Sequence, residues 1–128
     1  MKRYFICTLF AVAFLLLPLS VIIYANNTVD IRILEEKAIN GDIEAQFNLG
    51  FMYAKGQGVR QDYQKALEWY EKAANQGDTK AQYNLGFMFN KGQGLRQDYR
   101  KAAEWYEKAA NQGHTKAQFN LGIMFDKG

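Results

Sequence analysis

Beyond Ala25 the sequence contains no serine, no cysteine and no proline, and its one histidine is His114. A nucleophile paired with a base therefore has almost no candidates, and no enzymatic activity is expected. The only cysteine of the chain, Cys7, sits in an apolar N-terminal stretch, so the remainder can form no internal disulfide and must rest on packing. No second His or Cys stands at ligand spacing from His114, which predicts no metal, and no cofactor motif is present. Strong charge of one sign is also missing. Without Lys2 and Arg3 the 16 basic residues fall to 14 against 13 acids, a formal +1 in place of +3, and no electrostatic case for nucleic acid remains.

The chain divides into an apolar leader, residues 1–25, and a polar, aromatic-rich remainder, residues 26–128. Lys2 and Arg3 precede a near-continuous apolar run from Phe5 to Ile23, and Ala25 stands just before Asn26 and Asn27. That is the three-part layout of a secretory signal. Residues 5–23 are also long enough for an uncleaved membrane anchor, with the basic residues held on the cytoplasmic side. Both readings place the remainder outside the cytoplasm: periplasmic or secreted, or anchored to the inner membrane of a bacterium.

The remainder is a repeat. Residues 42–77 and 78–113 differ at only eight of 36 positions. Residues 114–128 restart the unit and stop at its first loop, and residues 31–41 fit the closing helix of an earlier unit. The repeated region thus reads as cut at both ends, with Phe119, Leu121, Met124 and Phe125 in a last helix without a partner.

Within a unit, Ala45, Leu49, Met52 and Tyr53 recur at helical spacing, while Phe47 and Phe51 lie one turn apart on another side; this is helix A. A turn with Gly56 and Gly58 follows, and Asp62 offers an oxygen to the next helix start. Helix B, from Tyr63 to about Asn75, groups Tyr63, Ala66, Leu67, Trp69, Tyr70, Ala73 and Ala74 on a core arc. Lys65, Glu68, Glu71 and Lys72 fall on the opposite, solvated arc. Gly50 inside helix A lowers helix propensity by about 1 kcal/mol, which makes sense where a neighbouring helix must approach closely. Two antiparallel helices per 36 residues predict an all-α fold, an α-solenoid. Gly56-Gln57-Gly58 lacks the Lys-Ser/Thr ending of a phosphate loop and reads as a structural turn. His114 occupies the helix-start position of Asp42 and Asp78 and reads as an exposed cap-region residue.

Ala45, Leu49-Gly50, Tyr53, Gly56-x-Gly58, Asp62, Lys65-Ala66, Trp69, Lys72-Ala73-Ala74 and Gly77, most of them repeated 36 residues later, resemble the Sel-1-like repeat. The resemblance implies a superhelix of helix hairpins akin to tetratricopeptide repeats, and an adaptor in protein assemblies. One exported branch of that family carries a disulfide in each repeat and is linked with β-lactam binding. Those cysteines are absent here, so an exported hydrolase or β-lactam-binding protein stands only as the alternative reading.

A second face of helix A is the candidate site. Positions 44, 47, 48, 51 and 55 form one stripe, and stacked repeats align such stripes into a strip. The strip reads Glu44, Phe47, Asn48 and Phe51, then Lys80, Tyr83, Asn84 and Phe87, then Lys116, Phe119, Asn120 and Ile123. In the related tetratricopeptide repeats the corresponding helix lines a concave groove that holds peptides. By that analogy the expected partner is a protein or peptide, with the membrane involved only through an uncleaved leader. Packing between successive repeats would also use the aromatics, and the two readings are compatible. A third reading is a structural element that self-associates through its uncapped ends.

Overall fold

The computed structural model describes residues 18–127, without the side chains of residues 22–29. Most of the stretch read as leader or anchor therefore lies outside the described residues. The chain divides into two units, Met1–Arg32 and Ile33–Gly128. A helix, α1 (Leu19–Ile39), starts inside the leader stretch and continues past Ala25. Among the described residues no helix is long and apolar enough to cross a membrane.

The second unit is built of helix pairs. The A helices are α2 (Ile43–Lys55), α4 (Thr79–Lys91) and α6 (Thr115–Asp126); the B helices are α3 (Tyr63–Asn75) and α5 (Tyr99–Asn111). Every start is capped by the residue the repeat places there. Asp42 accepts from the Ala45 amide at 2.7 Å, Asp78 from Ala81 at 2.6 Å, Asp62 from Gln64 and Lys65, and Asp98 from Lys101. Each such cap is worth about 1 kcal/mol. Lysines in the last turns of α2 to α5 complement the negative helix ends.

The chain reverses between A and B because Gly56 takes a left-handed conformation (φ +68°) that stops α2, its amide donating back to the Met52 carbonyl. The loop then closes on the helix it left. The Asp62 amide donates to the Tyr53 carbonyl at 2.9 Å, and the Gln61 side chain donates to the Ala54 carbonyl at 2.8 Å. The far end of α3 meets the start of α2, where the Gln76 side chain donates to the Gly41 carbonyl at 3.1 Å. The pair is therefore antiparallel.

The A–B interface is made of small residues around one ring. Ala45, Leu49, Ala66 and Ala73 are buried, and the ring of Tyr70, 3% exposed, lies flat against Gly50. The next unit repeats this with Ala81, Leu85, Ala102, Ala109, Gly86 and the fully buried Tyr106. Trp69 packs against the core from its edge and is only half-buried, with the Lys72 ammonium 4.1 Å from its ring centre, and Trp105 carries Lys108 in the same way at 4.0 Å. Met52 is likewise only half-buried, whereas its counterpart Met88 is in the core.

The close approach gives a sharp contrast between chemically identical positions. A Cβ at Gly50 would lie 2.6 Å from Tyr70 Cδ1, and one at Gly86 2.5 Å from Tyr106 Cδ1, but at Gly122 it would meet nothing within 4 Å. Gly50→Ala and Gly86→Ala should each lower stability by roughly 1 to 2 kcal/mol, because overpacking exceeds the gain of about 1 kcal/mol in helix propensity. Gly122→Ala should be neutral or raise it by up to about 1 kcal/mol. Urea unfolding of the three variants followed by circular dichroism checks the order; equal effects at all three would contradict the packing.

Candidate functional site

The strip residues are carried by three successive A helices, and the structure divides them into two kinds. Phe47 and Tyr83 are half-buried because each packs on the tyrosine of its own B helix: Phe47 on Tyr70 with centroids 5.8 Å apart, Tyr83 on Tyr106 at 5.7 Å. One turn further on, Phe51, Phe87 and Ile123 are exposed, as is Phe119. In the first two units, then, the first aromatic of the stripe is covered by its own helix pair and the residue one turn on is exposed, whereas in the third both Phe119 and Ile123 are exposed.

The asparagines divide similarly. Asn84 is half-buried beside the Tyr70 hydroxyl of the preceding unit, and Asn120 stands in the same relation to Tyr106. Asn48 has Leu34 in the place of that tyrosine and is exposed. Burial pushes the Tyr70 hydroxyl up from 10.0 to about 12, with Asn84 offsetting part of the rise. Tyr106 is also raised by burial, partly offset by Asn90 and Asn120, although its hydroxyl has no partner at bonding geometry.

Neighbouring units meet along the strip. The Lys80 ammonium lies 5.8 Å from the Phe47 ring centre, across the unit boundary. His114 caps α6 as its position implied, with Nδ1 accepting from the Ala117 amide at 3.2 Å. It is not simply exposed, however: its ring stacks on Tyr83 at 4.6 Å and is partly buried there. Three contiguous hollows run over this surface. One lies among Phe47, Phe51, Lys80, Tyr83, His114 and Lys116; a smaller one between Phe51, Tyr70 and Phe87 is edged by Lys55; the third lies among Phe87, Lys91, Tyr99, Asn120, Ile123 and Lys127. Lys91, Tyr99 and Lys127 were not picked out from sequence, although Lys91 and Lys127 stand at the last position of the same stripe.

Sequence reasoning also missed a glutamine ladder. Gln46 and Gln82, 4% and 5% exposed, are the buried polar side chains of the described core. Gln46 donates to the Ala38 carbonyl at 2.9 Å, and Gln82 to Ala74 at 3.2 Å, so each A helix is tied to the helix before it. Their carbonyl oxygens accept from Gln76 and Gln112, both at 2.8 Å. The signal was available in the recurring Ala-Gln of helix A and Asn-Gln-Gly of the turn, but a glutamine in a helix reads as surface until its partners are known.

No cluster of three or more His, Cys, Asp or Glu that could hold a metal ion occurs among the described residues. The Sel1 repeat pattern matches residues 43–78, 79–114 and 115–128. The chain belongs to the Sel1-repeat family. Sel1 repeats generally serve as non-catalytic scaffolds for protein–protein interaction. Solved Sel1-type structures agree with the fold. The protective antigen c5321 of uropathogenic Escherichia coli strains is 42% identical with a TM-score of 0.74, over 77% of this chain and 21% of that one. This chain thus spans about a fifth of that antigen. A Sel1 repeat protein from Oxalobacter formigenes is 38% identical (TM-score 0.70), over 77% of this chain and 74% of that one. Helicobacter pylori cysteine rich protein B is 26% identical (TM-score 0.67), over 71% of this chain and 68% of that one. No functionally curated protein matches the chain.

The buried tyrosines at the base of the strip make an alkaline prediction. A tyrosine whose folded pKa is raised contributes stability that is fully present below its unfolded value of 10.0 and lost as pH rises toward about 12. For Tyr70 the loss should be on the order of 2 kcal/mol over that window. Tyr70→Phe should flatten the alkaline limb of a stability–pH curve measured by urea unfolding; a limb as steep as that of the wild type would contradict the burial of that hydroxyl.

Proposed function

We propose that this Sel1-repeat chain is a non-enzymatic, extracytoplasmic scaffold that holds a protein or peptide partner on the A-helix strip. The observation that carries the reading is the row of outward-facing apolar side chains, Phe51, Phe87 and Ile123, repeated on three helices and set among hollows bordered by lysines and amides. A strip contributed by stacked units is suited to an elongated partner, because each unit presents one equivalent contact and the contacts add along the stack. Isolated apolar residues on a surface need no explanation, but a contiguous row does. Within the strip we assign Phe51, Phe87, Phe119, Lys80, Lys116 and the exposed Asn48 to contact, and Phe47, Tyr83, Asn84 and Asn120 to the floor beneath. Export rests on the leader, with Lys2 and Arg3 before the apolar run of residues 5–23.

The test is cross-linking and affinity capture of the tagged full chain from native cell envelope, comparing wild type with a Phe51→Ser/Phe87→Ser double variant. These side chains face outward, so helicity should be unchanged. The reading expects a protein captured by wild type and lost by the variant, with the chain recovered in the envelope or extracellular fraction. The same capture by both proteins, or recovery with the cytoplasm, would overturn it.

A further inference from the structure

The charges around the strip are segregated to a degree that the near-neutral balance conceals. The three hollows are bordered by five lysines, Lys55, Lys80, Lys91, Lys116 and Lys127, together with His114, and none of the 13 acids of the chain lines any of them. Glu44 and Asp126 are the only acids within the three A helices, and neither lines a hollow. Elsewhere the signs are mixed: the hollow on another surface, beside Leu67 and Phe89, carries Glu71 and Asp98 with Arg96 and Lys101. A shallow dip at the edge of the strip contains Asp78, whose carboxylate is occupied in capping α4.

The lysines stand in two rows. Lys55 and Lys91 end their helices, where a cation also suits the helix dipole, and Lys127 follows directly after α6. Lys80 and Lys116 lie in the first turns of α4 and α6, where the dipole favours an anion and where α2 has Glu44. Helix stability therefore does not account for the second row. Along α4 the rows are 11 residues apart, or about 16 Å. An exposed apolar row, Phe51, Phe87 and Ile123, runs between them. That width is too great for one extended chain to touch both rows, while a helix, roughly 10 to 12 Å across with its side chains, fills it.

We infer that the occupant of the strip is an acidic amphipathic helix of a partner protein, apolar side chains on the Phe51–Phe87–Ile123 row and carboxylates on both flanks facing the two lysine rows. The inference rests on the strip being the binding surface, as proposed above, and adds the partner's charge and shape. The complementarity sets specificity and encounter rate, and it is screened by salt.

The probe is a synthetic peptide of about 18 residues, long enough to form a helix alone, with Leu and Phe on one face and Glu on both flanks. Counterparts carry Gln or Lys in place of every Glu. Fluorescence anisotropy with the full chain should show the Glu peptide binding at least roughly tenfold more tightly than the Gln peptide at low salt, the Lys peptide weakest, and the gap closing toward about 1 M salt. A Lys55→Gln/Lys80→Gln/Lys91→Gln/Lys116→Gln variant of unchanged helicity and melting temperature should lose the gap but retain the Gln-peptide affinity. Equal binding of Glu and Gln peptides, both abolished by Phe51→Ser/Phe87→Ser, would overturn the acidic partner and leave the strip standing. No binding by any peptide would overturn this inference, and the envelope capture then decides the strip separately. Binding to phosphatidylglycerol vesicles in preference to every peptide would replace the helix with an anionic membrane surface.

Discussion

The contact on which the rest of the structure depends is a tyrosine ring lying on a helical glycine. Gly50 has no side chain, so the Tyr70 ring comes within a distance that any Cβ would forbid, and α2 and α3 pack around it with alanines on either side. The same side chain makes two further contacts. Its ring supports Phe47, and its hydroxyl end stands beside Asn84 of the following unit. One interaction thereby sets the spacing of a helix pair, the floor of the strip and part of the register of the next pair. Gly86, Tyr106, Tyr83 and Asn120 repeat the arrangement.

Hydrophobic packing between alanines is tolerant of small slips, and the glutamine ladder removes that tolerance. A buried amide left without partners costs about 1 to 3 kcal/mol. Gln46 satisfies both ends of its amide only when Ala38 and Gln76 are in place, and Gln82 does so with Ala74 and Gln112. The turn between units is thus fixed by polar groups and the pair itself by apolar ones. The Gln64 side chain, donating to the Gly94 carbonyl of the next unit's loop, adds a tie at the opposite end of the helices.

Most of the fold was legible because each unit repeats local rules that need no tertiary information: Asp before a helix, glycine after it, alanines and aromatics at a period near 3.6. Helix B was placed from Tyr63 to Asn75, where it is found. What could not be read was burial that depends on a neighbour. Tyr53, Phe89 and Phe125 are equivalent positions, yet the first two are 8% exposed and the third 74%, because a B helix packs over α2 and α4 and none does so over α6 among the described residues. The same limit applies to Trp69, whose arc pointed to the core, and to His114, whose stacking on Tyr83 depends on a residue 31 positions away. The strip was legible as a stripe, but which of its side chains are covered and which exposed was not.

The placement of charge shows why the strip is basic even though the chain is nearly balanced. Four of the acids, Asp42, Asp62, Asp78 and Asp98, are held at helix starts as caps, and Glu68, Glu71, Glu104 and Glu107 belong to the B helices. Lysines at helix ends gain from the dipole, so Lys55 and Lys91 would be there without any partner. The first-turn lysines are different. A cation at that end loses about 0.3 to 1 kcal/mol to the dipole, and a cation–π contact at an exposed site returns about 0.5 to 1 kcal/mol. For Lys80, above Phe47, the two effects roughly cancel. For Lys116 the equivalent place over Tyr83 is taken by the His114 ring, so the offset is lost and the dipole term remains. A residue held at a position that stability disfavours points to a requirement outside the folded chain, and of the residues bordering the hollows it is Lys116 for which that argument is strongest.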